Sequence, residues 1–129
     1  IFIVNRTPER AESLASEWAS RDARVWGGGL DAANSGPWNL VINGTSTGLS
    51  GEMPALPESM TLADAYGYDM AYGAAPTPFM RWAEGRGAAA VRDGLGMLVE
   101  QAAESFLIWH GHRPDTDHLY EQLRAKIDD

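Results

Sequence analysis

Cysteine is absent from the 129 residues, which excludes disulfides and thiolate chemistry and agrees with a cytoplasmic protein. No apolar run approaches the roughly 18 residues that cross a bilayer, so no membrane segment is expected. No secretory leader is expected either, because Ile1-Phe2-Ile3-Val4 has neither a basic lead nor a small-residue cleavage site. Basic charge is scarce: ten Lys and Arg stand against eighteen Asp and Glu, a formal net charge of −8. General nucleic-acid binding, which needs a basic face toward phosphate, is thereby disfavoured. The serines lie in loops without a strand-to-helix nucleophile elbow, so no Ser–His–Asp chemistry is expected. His110, His112 and His118 lack a cysteine or a converging carboxylate, and residues two apart do not share a helix face, so no metal site is expected either.

What is present is ordinary for a globular protein, with 44% hydrophobic and 22% charged residues. One domain over residues 1–129 is expected, since no linker, repeat or low-complexity tract divides the chain. Residues 1–4 read as a strand buried on both faces. Thr7-Pro8 then opens a helix over 8–20, with Ala11, Leu14, Ala15 and Trp18 on one side. Val25-Trp26 suggests a short strand ended by Gly27-Gly28-Gly29, a flexible connection that lacks the spacing of a phosphate-binding fingerprint. Leu40 to Ile42 and Ala65 to Met70 read as strands, and Ala88 to Val91 as a weaker one. Helices are expected from Pro78, from Gly94 to about His110 with Leu95, Leu98, Ala102 and Phe106 on one side, and after Thr116 with Leu119, Leu123 and Ile127. The chain opens on an apolar run without Met, which predicts a fragment entered in mid-fold.

Strands alternating with helices predict a parallel sheet covered on both faces, with ligands beyond the carboxyl ends of the strands. Asn5 to Arg10, Asn43 to Gly48 and Met70 to Tyr72 occupy that position. At the end of the first strand, Asn5, Arg6, Thr7 and Arg10 offer two guanidinium groups and no carboxylate. In dinucleotide-binding folds such an end suits the 2′-phosphate of NADP, where an acid would suit the ribose hydroxyl of NAD. Solvated surface arginines and a capping threonine fit the same spacing, and spacing alone leaves both readings open. Asn43 to Gly51 is a loop of small residues that serves equally as an ordinary turn or as a close approach to a ligand. Asp93 takes a capping position before Gly94, and Gln101 follows on a largely apolar helix, as a surface residue or a substrate contact.

Together, NRTPERAESLA (5–15), INGTSTGLSGEMPALP (42–57), YDMAYGAAPTPFMRWAEGRG (68–87) and DGLGMLVEQAAESFLIWHG (93–111) resemble shikimate dehydrogenase, in order and at family spacing. The resemblance implies a Rossmann-like, doubly wound parallel sheet with helices on both faces, incomplete because the first strand and its glycine-rich loop lie upstream. It implies reduction of 3-dehydroshikimate to shikimate with NADPH, on the route to chorismate and the aromatic amino acids. On this reading Asn5, Arg6, Thr7 and Arg10 hold the 2′-phosphate side of NADP, and Thr45 and Ser46 line the cofactor channel. Met70 and Gly94 lie against the nicotinamide half, while Tyr72 and Gln101 touch the substrate. The family's catalytic Lys and Asp belong to an amino-terminal domain, so no catalytic residue is assigned here and the chain by itself is expected to be inactive. Gly44 departs from the family's usual Ala.

The expected partners are shikimate or 3-dehydroshikimate, with neither nucleic acid nor membrane, and a homodimer is compatible with the reading. A quinate/shikimate enzyme using NAD is the near alternative, disfavoured by the arginines at the strand end. A non-catalytic nucleotide-binding module is the more distant one.

Overall fold

A computed structural model describes residues 1–19, 24–46 and 52–128. Contacts gather them into two units, Ile1–Pro37 with Met53–Thr61, and Trp38–Glu52 with Leu62–Asp129.

In the first unit, β1 (Phe2–Asn5) pairs in parallel with β2 (Trp26–Gly29), in the register Phe2 to Trp26 through Asn5 to Gly29. Helix α1 (Pro8–Ala19) packs on this pair. The glycine triplet is therefore strand and not the flexible connection expected from the sequence. The reason is steric: a Cβ on Gly27 would lie 2.3 Å from the carbonyl oxygen of Ala11, so the strand admits the helix backbone only because it has no side chain there. The same closeness decides which helix residues are buried. Ala11 and Ala15 fill the seam, whereas Leu14 and Trp18, expected on the buried side, stay 44% and 47% exposed. A 3₁₀ helix over Leu30–Ser35, unforeseen in the sequence, follows β2 and buries Ala33.

In the second unit, β3 (Leu40–Asn43), β4 (Tyr66–Asp69) and β5 (Ala90–Arg92) form a parallel sheet in the order β3-β4-β5. All three strands run the same way, so their carboxyl ends share one edge. Helix α2 (Pro78–Gly85) makes the crossover between β4 and β5. Thr77 caps it by accepting from Met80 N at 3.2 Å, and Pro78 occupies the first turn, where a missing N–H costs nothing. Phe79 and Ala83 of α2 are buried, and Gly67 of β4 lies against them. The opposite face of β3 and β4 carries Leu40, Ile42 and Tyr66 at 52%, 57% and 59% exposure, so no described residue covers it well.

Helix α3 (Leu95–His110) buries Leu95, Val99 and Ala103. Its buried stripe thus advances strictly by four, and Leu98 and Ala102 of the expected stripe fall to the side. Gly111 closes α3 in the left-handed region at φ 77°, donating its N–H to Leu107 O at 2.8 Å. Helix α4 (Asp117–Asp128) runs back along α3 with no fully buried residue. No helix among the described residues is long and apolar enough to cross a membrane.

Candidate functional site

The first candidate segment sits where β1 ends. The Asn5 side chain accepts from Thr7 N at 2.9 Å, and Thr7 O accepts from Arg10 N at 3.1 Å, so the chain turns directly into α1. Arg6, Thr7 and Arg10 are exposed, and among the described residues neither guanidinium has a hydrogen-bond or ion-pair partner. Two exposed arginines without an ion-pair partner among the described residues, with Glu9 between them in the sequence, are a donor set suited to an anion such as a phosphate monoester. The donor chemistry thus fits the 2′-phosphate of NADP.

At the carboxyl edge of the second unit, the polar groups are instead joined to one another. Asp69, 1% exposed, accepts from Asn43 Nδ2 at 3.1 Å, from Ala71 N at 3.1 Å and from Thr77 Oγ1 at 2.5 Å. Asn43, also buried, returns its carbonyl to Thr45, which donates from N at 3.2 Å and from Oγ1 at 2.8 Å. Met70 N donates to Asn43 O at 2.9 Å, and Gly94 N to Ala71 O at 3.0 Å. The loops after β3, β4 and β5 are therefore linked in sequence, from Thr45 through Asn43, Asp69 and Ala71 to Gly94. Sequence reasoning missed Asn43 and Asp69 as organisers. Their signal was a polar residue at the matching last position of two apolar parallel strands, which the register pairs directly.

Gly94 is buried, and a Cβ there would lie 2.0 Å from the carbonyl oxygen of Met70, so only glycine allows this contact between the start of α3 and the loop after β4. Gly94, and not the expected Asp93, holds the capping position of α3, with no side-chain cap. The Asp93 carboxylate accepts from Leu95 N at 3.3 Å instead. A Cβ on Gly44 would lie 3.0 Å from Met70 Sδ, so an alanine there would need a small shift of a flexible thioether.

The second unit brings Thr45, Met70 and Gly94 into this connected edge, with Tyr72 exposed on the loop after β4 and Ser46 exposed beside Thr45. Gln101 lies on the exposed side of α3 and takes no part in it, its backbone carbonyl accepting from Ser105 Oγ at 2.9 Å. Residues 47–51 of the expected cofactor loop fall outside the described residues. An open groove of about 260 Å³ between α3 and α4 is lined by Glu100, Asp117 and Glu121 among others, a set that repels an anionic dinucleotide.

The family model described as "Shikimate 5'-dehydrogenase C-terminal domain" matches residues 94–124. A shikimate dehydrogenase (NADP(+)) of Alcanivorax borkumensis is 57% identical over 123 residues, covering 95% of this chain and 44% of the relative. Along nearly its whole length the chain is similar to the carboxyl-terminal part of shikimate dehydrogenases. The shikimate dehydrogenase (NADP(+)) of Bordetella petrii is likewise 52% identical over 132 residues, covering 98% of the chain and 46% of its own length. A crystal structure of shikimate 5-dehydrogenase from Thermus thermophilus, in complex with NADP(H) and shikimate, shares 32% identity and superposes with a TM-score of 0.77 over 96% of this chain and 45% of that one. The α/β fold with parallel strands is thus the Rossmann-like fold of these dehydrogenases. The chain spans less than half the length of the curated relatives it matches.

Proposed function

We propose that the chain is the cofactor-binding part of an NADP-dependent shikimate dehydrogenase, which interconverts 3-dehydroshikimate and shikimate. One observation carries this reading: the relatives that match along 95% and 98% of the chain are named as NADP-dependent shikimate dehydrogenases. Arg6 just past the end of β1 and Arg10 in the first turn of α1, both without a partner among the described residues, supply the physical support for the phosphate-bearing cofactor.

On this reading Asn5 shapes the turn, Arg6 and Arg10 donate to the 2′-phosphate, and Thr7 offers its hydroxyl to the same group. Thr45 and Ser46 line the channel toward the nicotinamide, and Met70 and Gly94 form a surface against that ring. Tyr72 and Gln101 reach the substrate. The bound cofactor supplies the hydride; these residues supply position and exclude alternatives. None of them is assigned as the acid or base, a task the resemblance gives to a Lys and Asp in the portion of the relatives that this chain does not match. The 129 residues by themselves are therefore proposed to be inactive. The biosynthetic role carries a cytoplasmic location with it, and a homodimer is compatible with it.

The test is steady-state kinetics of the complete polypeptide bearing this sequence, with shikimate and each cofactor in turn. Turnover should favour NADP, and Arg6→Ala should weaken NADP about tenfold or more while leaving NAD nearly unchanged, the loss of one charge-assisted phosphate contact. Preference for NAD, or equal loss with both cofactors, would overturn the assignment of Arg6. Absence of shikimate turnover would overturn the function itself.

A further inference from the structure

Arg124 stands on the penultimate turn of α4, far along the chain from every residue assigned above. Its Nη2 donates to both oxygens of Asp93, at 2.7 and 2.6 Å, and its Nη1 donates to the carbonyl of Gly73 at 3.1 Å. The Asp93 side chain is 10% exposed and that of Arg124 26%, so the pair is largely withdrawn from water. The guanidinium also lies 5.9 Å from the ring centroid of Tyr120, one turn earlier on the same helix. The hydrogen bonds that Arg124 donates to Asp93 raise its pKa above the ordinary arginine range, so this cation does not titrate near neutrality.

What these contacts hold is the segment between β4 and α2. Its near end is fixed by Met70 N on Asn43 O, by Ala71 N on Asp69, and by Gly94 N on Ala71 O. Gly73, midway along it, is fixed through Arg124, and Thr77 at its far end donates to Asp69. Tyr72, exposed, lies between Ala71 and Gly73. The same guanidinium grips Asp93, immediately before Gly94, and so fixes the start of α3 against the Met70 carbonyl.

We propose that Arg124 is a positioning residue of the substrate side of the site, clamping Gly73 and Asp93 so that Tyr72 and Gly94 keep their places. The inference rests on the reading of Tyr72 and Gly94 given above. It adds that the last helix of the chain, which contributes no residue to that reading, sets the geometry of the residues that do. A lysine cannot replace this group in full, because one ammonium cannot span a carboxylate and a backbone carbonyl in the planar fork that arginine provides.

The experiment is a double-mutant cycle in the complete polypeptide, combining Arg124→Gln with Tyr72→Phe and reading the KM for shikimate, kcat, and the dissociation constant of 2′,5′-ADP. Arg124→Gln should raise the shikimate KM about tenfold, the scale of a lost charge-assisted hydrogen bond, with a smaller effect on kcat. It should leave 2′,5′-ADP binding within about twofold, since that probe reports only the adenosine end. In the Tyr72→Phe background most of the KM effect should disappear, and Arg124→Lys should fall between wild type and Arg124→Gln. The lysine variant also serves if Arg124→Gln folds poorly, as judged by its thermal transition. An unchanged shikimate KM, an equal cost in both backgrounds, or an equal loss of 2′,5′-ADP affinity would overturn the proposal. If the unsubstituted enzyme lacks shikimate turnover, the functional reading fails; if it is active and the cycle shows no coupling, only the role of Arg124 fails.

Discussion

The end of β1 and the shared edge of β3, β4 and β5 solve opposite problems. At the first, two guanidinium groups stand exposed and unpartnered among the described residues, and the local structure does not consume their charge. At the second, the polar side chains of Asn43, Asp69 and Thr77 are buried and spent on one another and on the backbone. Donors left free are available to an anion, whereas donors already satisfied hold loops in place. On the proposed reading one region binds and the other positions, and their responses to substitution should differ accordingly.

The sharpest break should come at Asp69. Asp69→Ala leaves the Asn43 amide, the Thr77 hydroxyl and Ala71 N without their shared acceptor, and should cost about 3 kcal/mol or more in the denaturant midpoint of the complete polypeptide. A cost below about 1 kcal/mol would mean that water replaces the carboxylate and the region is less closed than described. Gly94→Ala should come next, at about 2–3 kcal/mol, because its Cβ meets backbone and not a movable side chain. Shikimate turnover should fall with it, and a variant that retained both stability and turnover would remove the Gly94–Met70 contact from the site. At the other region, Arg6→Ala should shift stability by no more than about 0.5 kcal/mol while selectively weakening NADP. A comparable loss of stability would show that Arg6 is structural and would erase the contrast. Gly44→Ala should have the smallest effect overall, within about 0.5 kcal/mol in either direction and without a change of cofactor preference, since only Met70 Sδ has to move. A larger loss would mean that the thioether is held more tightly than its 43% exposure suggests.

Four of the described strands and most of the helices could be read from the sequence, because each is a short apolar run or a capped amphipathic segment. Leu40 to Ile42 and Pro78 announce themselves in this way. The glycine strand could not be read, since its pairing depends on α1 being close enough to forbid a side chain on Gly27, a fact of packing and not of propensity. The buried side of α1 failed for the same cause: a seam that narrow takes Ala11 and Ala15 and turns away Leu14 and Trp18. In the site, the arginines were visible as charge at a strand end. The Asn43–Asp69 link spans 26 residues and the Asp93–Arg124 pair 31, and neither separation leaves a local pattern. Connections of that kind appear only once the topology has brought the ends together.

The uncovered face of β3 and β4 bears on how the chain behaves in solution. Leu40, Ile42 and Tyr66 present adjoining apolar surface, while a net charge of −8 keeps copies apart. Salt acts on these two forces in opposite senses, screening the repulsion and, if it is a sulfate or phosphate, strengthening the attraction. The 129-residue chain should therefore be most soluble in dilute buffer and should self-associate as sulfate is added.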